Sequence, residues 1–478
     1  MSTARLCVTV TGRTTAELRE RRDAVPNADL IELRLDTVAD PHVAGALAGR
    51  RTPVIVTCRA KWEGGAFDGS EDDRKRILDE ALALGAEFVD VEWRAGFRDL
   101  IARTGGRRVI VSSHDYRGMP ADLAAQVQAM RSTGAGMVKV AVTPTSLADT
   151  LQLLDLGARD LVLIGMGDYG FPTRVLASRF RSAWTYAGSI REVGQVDAAT
   201  LTSQYRFASI SDATAVYGVT GGAVGHSASP AMHNAAFQAL GIDAVYLPLP
   251  AVSADDFVRF GRAIGLKGAS VTIPHKVALA DRVDELCATA RRIGAINTVR
   301  VDGTRWIGGN TDAEGFLQPL QSRIRLDGLR AAVLGAGGAA RAVAVALAST
   351  GTAVTLHARD RAKAAAVAAA TAAEVGEWPP TPGSWDLLIN TTPVGMHPAA
   401  DQTPVAKSDL TGRYVYDLVY NPPLTRLLRD AADVGCETFG GLDMLVAQAH
   451  EQFQWWTGTR PPAGVMREAA LKRLAECA

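Results

Sequence analysis

Charged side chains occupy positions where a buried strand would carry apolar ones. In Leu30-Ile-Glu-Leu-Arg-Leu-Asp36, the aliphatics Ile31, Leu33 and Leu35 alternate with Glu32, Arg34 and Asp36. In Met137-Val-Lys-Val-Ala-Val142, Val138, Val140 and Val142 alternate with Lys139. Successive strand side chains point to opposite faces, so the aliphatics take one face and the charges the other. The same alternation puts Arg59 inward in a third segment, and Ser112 and His114 in a fifth. Buried charge is costly unless paired or used. An ion-pair network would account for Glu32 and Arg34 but not readily for a lone lysine in mid-strand. Desolvation disfavours its ammonium form, and a neutral lysine amine condenses with a carbonyl to give a Schiff base. A lysine simply neutralised by a carboxylate is the structural alternative. His114, at a strand end, is placed for general acid/base work. Alone it would be structural, and Lys139 gives it interest.

The elements that must position these groups are legible up to about residue 188. Eight strand-like runs (LCVTVTG, LIELRLD, PVIVTCR, FVDVEW, RVIVSSHD, MVKVAV, LVLIGMG, SAWTYAG) are mostly separated by helix-period stretches such as EDDRKRILDEALALG. That pattern predicts parallel βαβ units. Eight units favour closure into a (β/α)8 barrel over a flat doubly wound sheet, with the site at the C-terminal strand ends.

A composition break near Tyr205–Ala213 introduces a second pattern. GHSASP sets Ser227 and Ser229 just before a helix, where an ordinary N-cap is the alternative. VTIPHK ends a strand-like run with Lys276. GAINTV and GNTDAEG bring Asn297 and Asp312 into glycine-bounded loops. Ketone reduction needs a proton donor at the developing alkoxide. Lys276, held by Asp312, could supply it, although such a pair is more often a surface salt bridge. Arg330–Leu334 then runs as a strand into Gly335-Ala336-Gly337-Gly338-Ala339-Ala340, followed by an alanine-rich helix and another strand. This is a dinucleotide-type βαβ unit, with the pyrophosphate expected on loop amides and helix N-terminus. The next strand ends in His357-Ala358-Arg359-Asp360. Arg359 and Lys363 would suit a 2′-phosphate, while Asp360 would oppose it. Residues 361–376 are expected to form a plain helix.

Composition narrows the class. Lys+Arg and Asp+Glu are both 51, which removes the broad positive field of a nucleic-acid binder. Hydrophobic residues at 47% and charged at 21% exclude large-scale disorder. Five scattered cysteines without a CxxC pair argue against a disulfide framework or zinc cluster, and the histidines lack ligand spacing, so no metal is expected. No membrane span or leader is read, the start MSTARLCVTV running straight into a strand. A cytoplasmic enzyme is expected, of unspecified oligomeric state.

On ELRLD, TCR, EGG (Glu63–Gly65), SSHD, VKVAV, MGDYGFPTR (Met166–Arg174) and VGQ (Val193–Gln195), the first half resembles type I 3-dehydroquinate dehydratases. The resemblance implies a Schiff base on Lys139, with His114 as proton carrier and Glu63 orienting it. Glu32, Arg34, Arg59, Arg174 and Gln195 would hold substrate. Arg191-Glu192 departs from the family pattern, and Arg191 is an added candidate for the substrate carboxylate. From about Tyr217 onward, the motifs above with NTTPVGM, DLVYNP and GGLDMLVAQA resemble shikimate dehydrogenases. That resemblance implies Lys276 and Asp312 as the catalytic pair. Ser227, Ser229, Thr272, Asn297, Tyr420 and Gln448 would contact substrate. Gly335, Ala336, Gly337, Gly338, Ala339, Arg359, Lys363 and Gly441 would hold NADP in preference to NAD. Ser270 stands where many members carry Asn, with little effect expected. The implied domains are a barrel over 1–212, a substrate domain over 213–318 completed by helices in 441–478, and a Rossmann domain over 319–440. The implied reactions are consecutive, 3-dehydroquinate to 3-dehydroshikimate and then to shikimate. A quinate-using fusion and a catalytically weak metabolite sensor are the alternatives. Retention of Lys139, His114, Lys276 and Asp312 opposes the sensor.

Overall fold

Each of the eight alternating segments forms a strand: β1 (Arg5–Val10), β2 (Leu30–Arg34), β3 (Val54–Thr57), β4 (Phe88–Glu92), β5 (Val109–Asp115), β6 (Met137–Val142), β7 (Leu161–Gly165) and β8 (Trp184–Ala187). The coordinates are a computed structural model that describes residues 4–190 and 193–477. They divide into two compact units, Met1–Thr214 with Leu249–Val252, and Ala215–Pro248 with Ser253–Ala478. In the first unit all strands run parallel in the order β7-β6-β5-β4-β3-β2-β1-β8. At the seam Ala183 N–H donates to the Leu161 carbonyl at 2.8 Å, bringing β8 back to β7. The sheet is the (β/α)8 architecture expected from the count of strands.

Alternation along the strands sorts the interior into levels. Val138, Val140 and Val142 of β6 are buried on the helix side. The inward set begins with an apolar floor that includes Leu30, Ile55, Ile110, Val162 and Trp184. One step further along the strands stand Glu32, Thr57, Asp90, Ser112, Lys139 and Tyr186, all buried. The register pairs Ser112 with Lys139 and Thr57 with Asp90 across neighbouring strands. The surrounding helices carry ordinary start signals. Ser70 accepts from Asp73 N–H at 3.1 Å to cap the helix Glu71–Ala83, whose first turn holds three acids against the helix dipole. The β2 alternation stops at Arg34, however. Asp36 lies in the 3-10 turn Leu35–Thr37 and closes a two-point ion pair with Arg34, at 2.7 and 2.8 Å.

The second unit holds two sheets. The first comprises β9 (Ala215–Gly221), β10 (Ala244–Pro250), β11 (Gly268–Val271), β12 (Glu285–Leu286), β13 (Thr298–Asp302) and β14 (Arg305–Gly309), ordered β10-β9-β11-β13-β14-β12. The second comprises β15 (Arg330–Leu334), β16 (Ala353–His357), β17 (Glu374–Val375), β18 (Leu387–Asn390), β19 (Tyr414–Asp417) and β20 (Glu437–Gly440). Its order β17-β16-β15-β18-β19-β20 is all parallel, the doubly wound order of dinucleotide-binding sheets. The helix Gly441–Thr457 leaves this sheet and packs Leu442, Ala449 and Phe453 with Met232 and Phe237 beside the first one. Its Gln448 backbone passes so near the helix Asp312–Gln321 that a Cβ on Gly315 would lie 2.8 Å from the Gln448 nitrogen, so only glycine fits there.

Two local expectations are corrected. The alanine-rich helix ends at Thr371 rather than 376, because Ala372 turns left-handed at φ 55° and Glu374–Val375 joins the sheet as β17. Lys276 does not end a strand: β11 stops at Val271, and Pro274, which has no N–H to donate, lies in the turn that follows. No helix among the described residues is long and apolar enough to cross a membrane.

Candidate active sites

Lys139 is only 5% exposed, yet it is not lone as the sequence suggested. Its Nζ lies 3.2 Å from Asp90 Oδ2, 3.5 Å from Glu32 Oε1 and 4.3 Å from the centre of the Tyr186 ring. The expectation of a lone lysine is thus corrected: two carboxylates and an aromatic ring stand around its nitrogen. Glu32 is held by the hydroxyls of Thr9 at 2.9 Å and Thr57 at 3.0 Å. Asp90 also accepts from Ser112 Oγ at 2.6 Å and faces Arg59 Nη2 at 3.1 Å.

His114 sits at the end of β5. Its Nδ1 lies 3.0 Å from Glu63 Oε1, which also accepts from the His114 backbone N–H at 3.0 Å. Arg59 Nη1 approaches the same Nδ1 at 3.1 Å. Two glycines allow Glu63 to reach back. Gly64 turns left-handed at φ 76°, and a Cβ on Gly65 would lie 2.1 Å from the Arg59 carbonyl. Burial first, then the positive charges of Arg59, Lys139 and Arg34, push the His114 imidazolium well below its usual range. The ring is thus neutral near pH 7, and in the tautomer whose Nδ1–H donates to Glu63 Oε1 the free Nε2 is left as a base. Burial pushes the Glu63 carboxyl up to about 7 against the pull of Arg59, with Glu92 and Asp90 adding to the rise.

The other residues expected to hold substrate divide sharply. Arg59 is committed to the protein's own carboxylates, Asp90 at 3.1 Å, Glu92 at 3.3 Å and Glu63 at 3.9 Å. Arg34 is paired with Asp36. Arg174 has no carboxylate partner among the described residues. It is 1% exposed, donates to the carbonyls of Tyr186 at 3.3 Å and Val193 at 2.6 Å, and keeps its Nε unpaired. Burial alone brings its guanidinium down to about 10, so this cation would gain from an incoming anion. Gln195 donates to Thr9 Oγ1 at 3.3 Å, next to Glu32. Arg191 lies outside the described residues. Sequence reading missed Asp90 and Glu92, although Phe88-Val-Asp-Val-Glu92 shows the alternation that found Glu32 and Lys139.

In the second unit Lys276 Nζ meets Asp312 Oδ2 at 2.5 Å. Asp312 Oδ1 accepts from Asn297 Nδ2 at 2.7 Å, and Asp312 N–H donates to Asn310 Oδ1 at 3.0 Å. Asn297 Oδ1 accepts from Thr311 N–H at 2.8 Å, which fixes the amide's orientation. Gln448 Oε1 lies 3.5 Å from Asn297 Nδ2 and accepts from Gln452 at 2.8 Å. Gln452 in turn donates to the Asn297 carbonyl at 3.2 Å. Ser270 is more engaged than expected: its hydroxyl donates to Gln452 Oε1 and accepts from Tyr246, each at 2.5 Å. Tyr246 is also hydrogen-bonded to Ser229. Ser227 is not an N-cap. The cap of the helix Ser229–Ala239 is Ala228, and Ser227 Oγ instead accepts from Ser229 N–H at 3.2 Å. Thr272 and Tyr420 are half-buried, Tyr420 packing beside Leu442 and Phe453.

The nucleotide loop has the room and the free amides that a dinucleotide needs. Gly335 adopts φ 114°, and a Cβ there would lie 2.6 Å from Thr391 Oγ1. A Cβ on Gly337 would meet nothing within 4 Å, so open space faces the loop. The helix Gly338–Ala348 begins with no side-chain cap, which leaves its first amides to accept an anion. Lys276 reaches the same loop, its Cδ lying 3.2 Å from where a Gly338 Cβ would be. Arg359 is exposed and forms no ion pair among the described residues. Asp360 caps the helix Arg361–Thr371 and lies 3.4 Å from Lys363 Nζ. Gly441 lies where a Cβ would be 2.4 Å from the Leu418 carbonyl, a packing reason for glycine. The loop and its basic neighbours fit NADP. No cluster of metal-ligating side chains occurs among the described residues.

Residues 6–212 match the type I 3-dehydroquinase family, 219–299 the shikimate dehydrogenase substrate binding domain, and 441–471 the shikimate 5'-dehydrogenase C-terminal domain. The bifunctional 3-dehydroquinate dehydratase/shikimate dehydrogenase of Arabidopsis thaliana, a chloroplastic protein, is 33% identical over 475 residues, covering 91% of this chain and 78% of its own length. The NADP(+) shikimate dehydrogenase of Methanothermobacter thermautotrophicus is 43% identical over 280 residues, 55% of this chain and 98% of its own. The crystal structure of shikimate 5-dehydrogenase from Thermus thermophilus with NADP(H) and shikimate is 36% identical at a TM-score of 0.50, covering 54% of this chain and 99% of that one.

Proposed function

The chain belongs to the family of bifunctional 3-dehydroquinate dehydratase/shikimate dehydrogenases, and on that premise we propose which residues carry each reaction. The first unit, over 1–212, dehydrates 3-dehydroquinate to 3-dehydroshikimate. Lys139 condenses with the ring ketone to form an iminium. His114 Nε2 takes the adjacent proton, the iminium accepting the electron pair, and the imidazolium then protonates the leaving hydroxyl. Glu63 holds the ring through Nδ1–H and stabilises its charged form. Arg174 takes the substrate carboxylate as a charge-assisted partner. Glu32, Gln195, Arg34 and Arg59 line the ring hydroxyls.

The second unit reduces 3-dehydroshikimate to shikimate. NADPH, when bound, supplies the hydride. Lys276 delivers a proton to the developing alkoxide, and Asp312 holds the ammonium in line. Asn297 fixes Asp312. Ser227, Ser229, Thr272, Tyr420 and Gln448 hold the ring and its carboxylate. Gly335–Ala339 and the following helix N-terminus would hold the pyrophosphate, Gly441 would be a further cofactor contact, and Arg359 and Lys363 would hold the 2′-phosphate. The substrate domain is 213–318 with 441–478, and the nucleotide domain is 319–440.

The observation that carries this reading is the buried amine of Lys139 within one cylinder of strands that also holds the Glu63–His114 pair. A coupled assay tests it. Chain, 3-dehydroquinate and NADPH together are expected to consume NADPH and yield shikimate. Lys139→Ala is expected to stop that flow, and added 3-dehydroshikimate to restore it. No NADPH consumption from 3-dehydroquinate with the native chain would refute the pairing of activities.

A further inference from the structure

Asp90 carries no role in the mechanism above, although Lys139, Ser112 and Arg59 all meet its carboxylate. It is fully buried on β4. One oxygen, Oδ2, receives Lys139 Nζ at 3.2 Å. The other, Oδ1, accepts from Ser112 Oγ at 2.6 Å and lies 3.1 Å from Arg59 Nη2. Arg59 Nη1 then reaches His114 Nδ1 at 3.1 Å. A single carboxylate thus meets both the amine and the guanidinium that stands beside the proton carrier.

The charge on Lys139 Nζ must change during the reaction, which is why this connection matters. An ammonium and a ketone give an iminium and water: the N–C bond forms, the ketone C–O bond breaks, and two of the three ammonium protons leave in the water. The nitrogen passes through a neutral amine and a neutral carbinolamine on the way. Proton removal beside the iminium neutralises it again as an enamine. A buried carboxylate paired only with that nitrogen would be stranded at each neutral stage, and an unpaired buried charge is strongly destabilising. Asp90 is never stranded, because Arg59 and the Ser112 hydroxyl remain. Burial alone would raise the Asp90 carboxyl; Arg59 and then Lys139 outweigh it and hold the group below the usual carboxylate range.

We propose that Asp90 is a positioning residue of the dehydration site, a counter-ion shared between Lys139 and Arg59 that lets the reacting nitrogen gain and lose charge without leaving a buried carboxylate alone. This rests on the Schiff-base reading of Lys139. Glu32 on β2 is the second anion at the amine, its negative charge taken up by the Thr9 and Thr57 hydroxyls. The other titratable groups around Lys139 are the Arg59 guanidinium just past β3, the neutral His114 on β5, the Tyr186 ring on β8 and the Cys7 thiol on β1, pushed well up by burial and by Glu32, with Glu63, Glu92 and Arg34 facing Arg59 and His114. Only Asp90 touches both the amine and the cation beside His114.

The test is the pH dependence of borohydride trapping with 3-dehydroquinate in native, Asp90→Asn and Asp90→Glu chains, each at full length. An opposite charge at this range moves a titration by about one to three pH units. In Asp90→Asn the acid limb of adduct formation is therefore expected about one to three pH units lower than in the native chain, with kcat reduced more than KM is raised. Asp90→Glu retains the charge and is expected to keep the limb within about half a pH unit of native. An unmoved limb in Asp90→Asn, or an equal displacement in Asp90→Glu, overturns the proposal while leaving the Schiff base standing. No adduct in the native chain removes both. Circular dichroism and the dehydrogenase activity of the same chain report folding. If Asp90→Asn does not fold, Asp90→Glu decides: a native limb with lowered kcat supports the role, and a displaced limb overturns it.

Discussion

Each unit sets a lysine against an aspartate, and the two settings differ in everything except that pair. In the barrel, Lys139 stands on a strand, nearly sealed, between two carboxylates that have other partners of their own. In the second unit, Lys276 stands in a turn, its side chain 15% exposed, and Asp312 is its one ion-pair partner within 4 Å among the described residues. The first arrangement suits a nitrogen that forms a bond and must be held against displacement. The second suits a nitrogen that passes a proton and is reloaded from solvent. The lesson is that a Lys–Asp pair carries no chemistry by itself. Burial and the number of carboxylates at the amine separate the two settings: two stand at Lys139 and one at Lys276 among the described residues.

Substitutions can break this contrast, from large effects to small. Lys139→Ala is expected to lower dehydratase kcat on the order of ten-thousandfold or more, since a covalent nucleophile has no substitute. Dehydrogenase rates should stay at the native level, as measured with 3-dehydroshikimate and NADPH. Loss of both activities would mean that the lysine serves folding. Lys276→Ala is expected to cost about a hundredfold to ten-thousandfold in dehydrogenase kcat, the range for a lost proton donor. Dehydratase should be unaffected, and a change confined to KM would make Lys276 a binding residue instead.

Arg359→Ala sharpens the cofactor side. Losing a charge-assisted phosphate contact of about 1.5–3 kcal/mol should raise KM for NADP roughly tenfold to a hundredfold. Equal effects with NAD, measured side by side, would detach Arg359 from the 2′-phosphate. The smallest effect is in pH. Glu63, pushed up to about 7 by burial, accepts Nδ1–H only when ionised. His114 stays neutral throughout, because its own titration is pushed well down. Dehydratase kcat should therefore fall as pH drops through about 7, by up to about tenfold per pH unit. Glu63→Gln should flatten that limb, and an unchanged limb would move the titration to another group.

Much of the framework was legible because its physics is local. Period-two alternation in LIELRLD and MVKVAV predicted which side chains enter the barrel, and Glu32 and Lys139 do. The strand–glycine–helix order at Arg330–Ala348 predicted the doubly wound sheet. The rest depended on partners distant in sequence. Asp90 lies 49 residues from Lys139, and Ser270 lies 182 residues from Gln452. No spacing rule links residues across such gaps. Arg59 and Arg174 look alike in sequence, but only the coordinates show one surrounded by carboxylates and the other with none. The cap that Asp360 supplies to the helix Arg361–Thr371 depends on where the strand ends and the helix begins.

Borohydride reduction of the native chain with 3-dehydroquinate, followed by peptide mapping, is the most direct test of the account. It predicts one stable mass addition, located on Lys139 and abolished in Lys139→Ala. An unmodified chain, or an addition on any other lysine, would contradict it.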